Sequence, residues 1–197
     1  MECGIVADVK SYSCFPTMIY EFTGVDKPSH LRMLNALDFE CEKNKDDLHT
    51  HLAFKRLAEI ILQHNENILK DNGYIFDKIE MTNMWGNDLK TGDSHPPHTH
   101  SNNILSGVYY LRASPETSPI QFFDPRPQAS VFKPRNKPNW NNSSMIQFNS
   151  VEGIGFIFPS WLMHWVPPTD LERVSVSWNI IVRGDYGEPH TLQNAHI

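Results

Sequence analysis

The sequence predicts an α+β chain, with helices first and an antiparallel jelly-roll barrel after them, on three observations. Helical periodicity is confined to the first third of the chain. From Tyr74 onward, short runs rich in branched and aromatic residues alternate with turns dense in proline, glycine and asparagine. The segment 124–144 (DPRPQASVFKPRNKPNWNNSS) carries four prolines, so it reads as a long loop or lid between strands rather than as an element.

The elements follow in order. Residues 15–22 (FPTMIYEF) read as a first strand. Pro28–Ser29 opens a helix, with Leu31, Leu34, Leu37 and Phe39 as its apolar stripe. A second helix follows Asp46–Asp47, with Leu48, Leu52, Leu57, Ile60, Ile61, Ile68 and Leu69 recurring at helical spacing. Asp71–Asn72–Gly73 stops it, because asparagine and glycine tolerate the left-handed conformation of a helix end. Candidate strands are 74–85, 104–112, 119–123, 145–149, 154–158 and 174–182. The expected organisation is one domain over 1–197: strand and helices in 1–73, barrel in 74–184, tail in 185–197.

Bulk properties narrow the function classes. A chain of 197 residues with 40% hydrophobic content builds an ordinary core. A net charge of −6 argues against a nucleic-acid-coating protein, which shows a basic stripe. The start MECGIVADV has neither a basic region nor a long apolar run, and no run approaches the ~20 residues that span a bilayer. Cys3, Cys14 and Cys41 are unpaired by spacing, as expected of reduced thiols in a cytoplasm. These properties name no primary substrate: an amino-acid side chain, a free small molecule and a nucleotide all stay open as its target, and a second copy of the chain in a homodimer is one expected partner. Neither membrane nor nucleic acid is expected.

Of the ten histidines, three crowd into 95–100 (HPPHTH). Alternate residues of a strand share a face, so His98 and His100 can point at one ion. His164, in FIFPSWLMHWVPP, is the best third ligand. A three-ligand site with open positions suits non-haem iron, because oxygen and substrate must occupy the rest. Further along, Arg173 opens the strongly β segment RVSVSWNIIV, with Ser175 on the same face. A buried guanidinium beside a hydroxyl suits one carboxylate of a planar diacid, whereas pairing with Asp170 or Glu172 would make it merely structural. Trp85, Asn87, Asn102 and Asn103 flank the expected mouth, and the remaining histidines read as surface or structural.

These residues resemble the 2-oxoglutarate- and iron(II)-dependent oxygenase superfamily, and more narrowly a bacterial and phage oxygenase family related to prolyl hydroxylases. The resemblance spans roughly 15–183. It is densest in PHTHSNNILSGVYYL (97–111), IQFFDPRP (120–127), and GFIFPSWLMHWVPP with RVSVSWNI (155–180). It implies a double-stranded β-helix (jelly roll, cupin-like) with N-terminal supporting helices, working in a bacterial or phage-infected cytoplasm. It implies His98 and His164 as iron(II) ligands, Arg173 and Ser175 as the anchor of 2-oxoglutarate, and Tyr110 as a further hold on the same carboxylate; His100, at the position of the remaining ligand, is expected from the histidine spacing to complete the set. The implied reaction couples 2-oxoglutarate decarboxylation to C–H oxidation, as in a hydroxylase.

One departure stands out: His100 occupies a position that is usually aspartate or glutamate in the superfamily. Asp93 and Asp124 are the carboxylates that could replace it as ligand. Two rival readings are a three-histidine cupin-type dioxygenase without 2-oxoglutarate, and a non-catalytic jelly-roll module with a closed metal site. The first gives Arg173 and Ser175 no role, and the second would need a fourth protein ligand to close its site.

Overall fold

The computed structural model describes residues 10–37, 46–126, 128, 131 and 134–197. Its strands are β1 (Tyr20–Phe22), β2 (Lys78–Leu89), β3 (His95–His98), β4 (Leu105–Arg112), β5 (Ile120–Phe123), β6 (Met145–Phe148), β7 (Gly155–Pro159), β8 (His164–Val166), β9 (Arg173–Arg183), β10 (Asp185–Tyr186) and β11 (Ala195–His196). Two helices, α1 (Lys27–Ala36) and α2 (Lys55–Asp71), precede the main strands.

A five-stranded antiparallel sheet in the order β1-β7-β4-β9-β2 faces a four-stranded sheet in the order β3-β8-β5-β6. This is the jelly roll. Side-chain alternation along β9 shows why both faces of the larger sheet are covered. Val174, Val176, Trp178, Ile180 and Val182 pack with Met33, Leu57, Ile61 and Leu69 of the helices. The alternate residues Arg173, Ser175, Ser177 and Asn179 face the smaller sheet, where Val108, Tyr110 and Phe156 meet Ile120 and Phe122. Burial of this much apolar surface holds the two layers together, at ~25 cal/mol per Å² removed from water. Gly107 is required where it stands: a Cβ there would lie 2.2 Å from the Trp178 ring.

Several elements differ from expectation. The first strand contracts to Tyr20–Phe22, with Phe15 98% exposed in a left-handed turn (φ 56°). Helix α1 starts where expected, with Asp26 accepting from the Ser29 N–H at 2.9 Å as its cap. Its fully buried residues are Ser29, His30 and Met33, with Leu34 and Leu37 of the expected stripe packing partly buried against the core; His30 bonds to the Tyr109 hydroxyl and the Leu111 carbonyl of β4. Leu31 is half exposed, and Phe39, like Cys3 and Cys41, lies outside the described residues.

The second helix begins at Lys55, after a separate 3-10 turn over Leu48–Thr50 that leaves Leu52 exposed. It ends as expected at Asn72 and Gly73, where φ is 80°. The strand expected at 74–85 begins at Lys78 and continues to Leu89, leaving Tyr74 and Ile75 in solvent. Within 185–197, β10 and β11 form a small hairpin.

Candidate active site

Strands β3 and β8 are antiparallel neighbours, and their register sets His98 directly opposite His164, with ring centroids 4.4 Å apart. The backbone fixes both rings the same way. His98 Nδ1 faces the Pro96 carbonyl at 2.7 Å and His164 Nδ1 faces the Leu162 carbonyl at 2.9 Å. A ring nitrogen beside a carbonyl must carry the proton, so each Nε2 is left as a bare acceptor.

His100 reaches the same point by another route. Strand β3 ends at His98, so His98 and His100 do not share a strand face. His100 lies in the turn that follows, which bends through Asn102 in the left-handed conformation (φ 63°). Its N–H donates to the Ser160 carbonyl at 2.9 Å, and its ring stacks parallel to His164 with 3.3 Å between the two Nε2 atoms. Ligand-capable nitrogens of all three histidines lie within 4.8 Å of one another. Burial, with His98 nearby, pushes His100 down to about 4; burial above all holds His164 at about 3. Both are therefore neutral imidazoles at neutral pH, the form that binds metal. Three facial donors with open positions suit a catalytic transition metal.

The opposite end of the site is charged. Arg173 is 2% exposed; its Nε donates to Ser150 Oγ at 3.0 Å and Nη1 to Ser175 Oγ at 3.4 Å. Its guanidinium lies 4.7 Å over the Tyr110 ring. The structural alternative for this arginine fails: Glu172 is taken by Lys90 and Arg112. Among the described residues no carboxylate pairs with Arg173, and the buried Tyr110 hydroxyl has no hydrogen-bond partner. A buried cation without a counter-ion is costly, and cation–π contact offsets only part of that. The end is thus shaped for an incoming carboxylate.

A cavity of about 340 Å³ joins the two ends, lined among others by Trp85, Asn87, His95, His98, His164 and Arg173. Trp85 and Asn87 fall on it as expected; Asn102 sits in the turn, and Asn103 bonds Thr82 and the Ser101 carbonyl instead. Asp93 caps the Lys90 N–H and Asp124 makes a forked pair with Arg126, so neither joins the histidine cluster. Three residues escaped the sequence reading. His95 lines the cavity, its pKa lowered by burial and then by Arg173. Ser177 is bonded by Asn87, and Ser150 holds Arg173. His95 was signalled by its place in HPPHTH; Ser150, in an ordinary turn, gave no signal.

Residues 83–179, which carry every one of these candidate residues, match the model of the family described as "Putative 2OG-Fe(II) oxygenase". Solved structures share the fold. A prolyl-4-hydroxylase from Pseudomonas putida superposes with a TM-score of 0.61 at 17% identity, over 85% of this chain and 89% of that one. The viral collagen prolyl hydroxylase of Paramecium Bursaria Chlorella virus-1 gives 0.55 at 11% identity, over 82% and 94%. HygX from Streptomyces hygroscopicus gives 0.57 at 10%, over 84% and 82%. No curated protein matches the chain in sequence.

The fold and the family match are those of non-haem oxygenases. The chain shares its jelly roll with prolyl hydroxylases, and its residues 83–179 match a family of 2-oxoglutarate- and iron(II)-dependent oxygenases, whose cofactors are iron(II) and 2-oxoglutarate.

Proposed function

We propose that this chain is a hydroxylase in which His98, His100 and His164 hold the iron, while Arg173 and Ser175 hold the distal carboxylate of 2-oxoglutarate with the Tyr110 hydroxyl. One observation carries the reading: the three-histidine cluster and the uncompensated buried guanidinium line the same cavity. Among the neighbours, the viral prolyl hydroxylase is described as a 2-oxoglutarate complex and HygX as holding nickel and 2-oxoglutarate.

When bound, iron(II) and 2-oxoglutarate couple decarboxylation of the 2-oxo acid to oxidation of a C–H bond. The chain's own residues prepare that site. The carbonyls of Pro96 and Leu162 hold the Nδ1 protons of His98 and His164, so both imidazoles offer Nε2. Three neutral imidazoles leave the metal one charge more positive than two imidazoles and a carboxylate would. Phe122 and Phe158 pack on the His164 ring and exclude water from that side. Trp85, tilted against His100 at 5.8 Å, forms the opposite wall, past which a substrate C–H bond would enter.

The primary substrate in this reading is an amino-acid side chain, proline among them, or a small molecule. A cytoplasmic location and homodimeric assembly belong to the same proposal. Among the described residues no helix is long and apolar enough to cross a membrane.

Anaerobic titration with iron(II), with and without 2-oxoglutarate, tests the reading. A weak visible charge-transfer band is expected only when both are present. Metal binding with no band under any 2-oxoglutarate concentration would overturn it in favour of an oxygenase site that does not chelate the 2-oxo acid.

A further inference from the structure

Buried beside His100 is a chain of polar side chains for which apolar packing would be cheaper. Asn83, Ser106, Ser160 and Asn179 form it, and the last three are 0%, 0% and 5% exposed. The Ser106 hydroxyl donates to Asn179 Oδ1 at 2.7 Å and meets Ser160 Oγ at 2.7 Å, so the Ser160 hydroxyl is the donor in that second bond. Asn179 Nδ2 donates to Asn83 Oδ1 at 2.8 Å. The Ser160 carbonyl accepts the His100 N–H at 2.9 Å. The Asn179 side chain lies close enough to the His100 imidazole to favour its protonated form. The path runs from His100's backbone through Ser160 and Ser106 to Asn179, which lies near His100's own ring.

The other two histidines show what His100 lacks. His98 and His164 each give Nδ1 to the carbonyl two residues earlier, Pro96 and Leu162. Both lie on paired strands that carry the ring into place. His100 lies in a turn, where no strand pairing fixes its ring, and its Nε2 already faces His164. Asn179 Oδ1 has two lone pairs and Ser106 uses one, which leaves one for a ring N–H. Buried polar chains of this kind cost stability unless fully bonded, and when fully bonded they fix geometry.

We propose that Asn179 is a positioning residue for His100: its side-chain oxygen accepts the Nδ1 proton and aims Nε2 at the metal. The proposal rests on the reading that His100 is a ligand. It gives the buried chain a task, to hold an imidazole from a turn where the superfamily resemblance places a carboxylate.

The test is metal affinity of the full chain, measured anaerobically with iron(II) and, for a spectroscopic readout, with cobalt(II). Asn179→Ala is expected to weaken both by about 10–100-fold, the usual effect of losing a ligand's supporting bond, and to alter the cobalt ligand-field bands. Asn179→Asp keeps an acceptor and is expected to bind at least as tightly as the parent. In a His100→Ala background, Asn179→Ala is expected to cost nothing further.

Unchanged affinity in folded Asn179→Ala overturns the proposal, as does an equal loss in the His100→Ala background. Should Asn179→Ala not fold, a tenfold weaker Asn179→Asp overturns it and parent-like affinity supports it. If His100→Ala alone leaves affinity untouched, it is the ligand reading that falls, and this inference with it.

Discussion

The two ends of the cavity are built on opposite principles. The proposed metal end uses an edge strand, β3, the three-residue β8 and a turn; its His100 and His164 rings are neutral, and His98 and His100 are only half buried. The anchor end uses β4 and β9, the inner strands of the larger sheet, and its charge is buried. The difference follows from what each end must do. A metal site needs open positions that substrate and oxygen can reach, so its ligands hang from the margins of the barrel. A carboxylate anchor needs a fixed cation in a low dielectric, where charge-assisted bonds are strongest, so it sits in the most constrained wall.

The largest effect should come from the metal end. His164→Ala removes the one proposed ligand that is nearly fully buried, its ring 4.4 Å from that of His98 and 5.2 Å from that of His100. Metal affinity should fall by far more than the roughly 10–100-fold typical of lost supporting bonds. Circular dichroism should show the fold retained. Metal bound at parent stoichiometry and affinity would show that the histidine cluster is not the metal centre.

Next comes the anchor, where the comparison is sharpest. Arg173→Ala should leave iron(II) affinity unchanged and weaken 2-oxoglutarate binding at least about 100-fold, since hydrogen bonds to charged groups are each worth ~1.5–3 kcal/mol. Arg173→Lys should recover only part of this, because an ammonium cannot make the forked contact. Calorimetric titration of the iron-loaded protein reads both. Unaltered 2-oxoglutarate affinity in Arg173→Ala would dissolve the two-ended picture and favour a three-histidine dioxygenase acting on oxygen directly.

The two ends also differed in how far the sequence revealed them. Arg173 and Ser175 were legible from strand alternation alone, because β9 is long and regular and its parity cannot slip without turning Val174 and Val176 out of the core. His98 and His100 were correctly placed together, but for a different reason: spacing suggested a shared strand face, whereas a turn delivers His100. Strand β8 was hidden inside FIFPSWLMHWVPP, where the turn at Ser160–Met163 carries no glycine to mark it. Leucine spacing misled at Leu31 and Leu52, because His30's bonds to β4 set the rotation of α1, and a 3-10 turn interrupts the second helical run. Ser150 and Asn179 could not be read at all, since their roles exist only through partners distant in sequence.

Tyr110 offers the smallest and most discriminating test, because its two expected effects have opposite signs. Its hydroxyl is buried and unpartnered in the apo protein, on a ring stacked under Arg173. Tyr110→Phe keeps that ring and removes only the oxygen. With no bond to lose and a desolvation penalty of about 1–3 kcal/mol relieved, the apo protein should be unchanged or more stable. About 1 kcal/mol corresponds to a rise in Tm of about 2–4 °C for a chain of this size. If the hydroxyl serves the carboxylate, 2-oxoglutarate affinity should drop about tenfold in the same variant, one charge-assisted bond's worth. A fall in apo Tm would mean that the oxygen has a partner in the resting protein and stabilises the barrel wall. A rise in Tm with unaltered 2-oxoglutarate affinity would leave the anchor to Arg173, Ser150 and Ser175 alone.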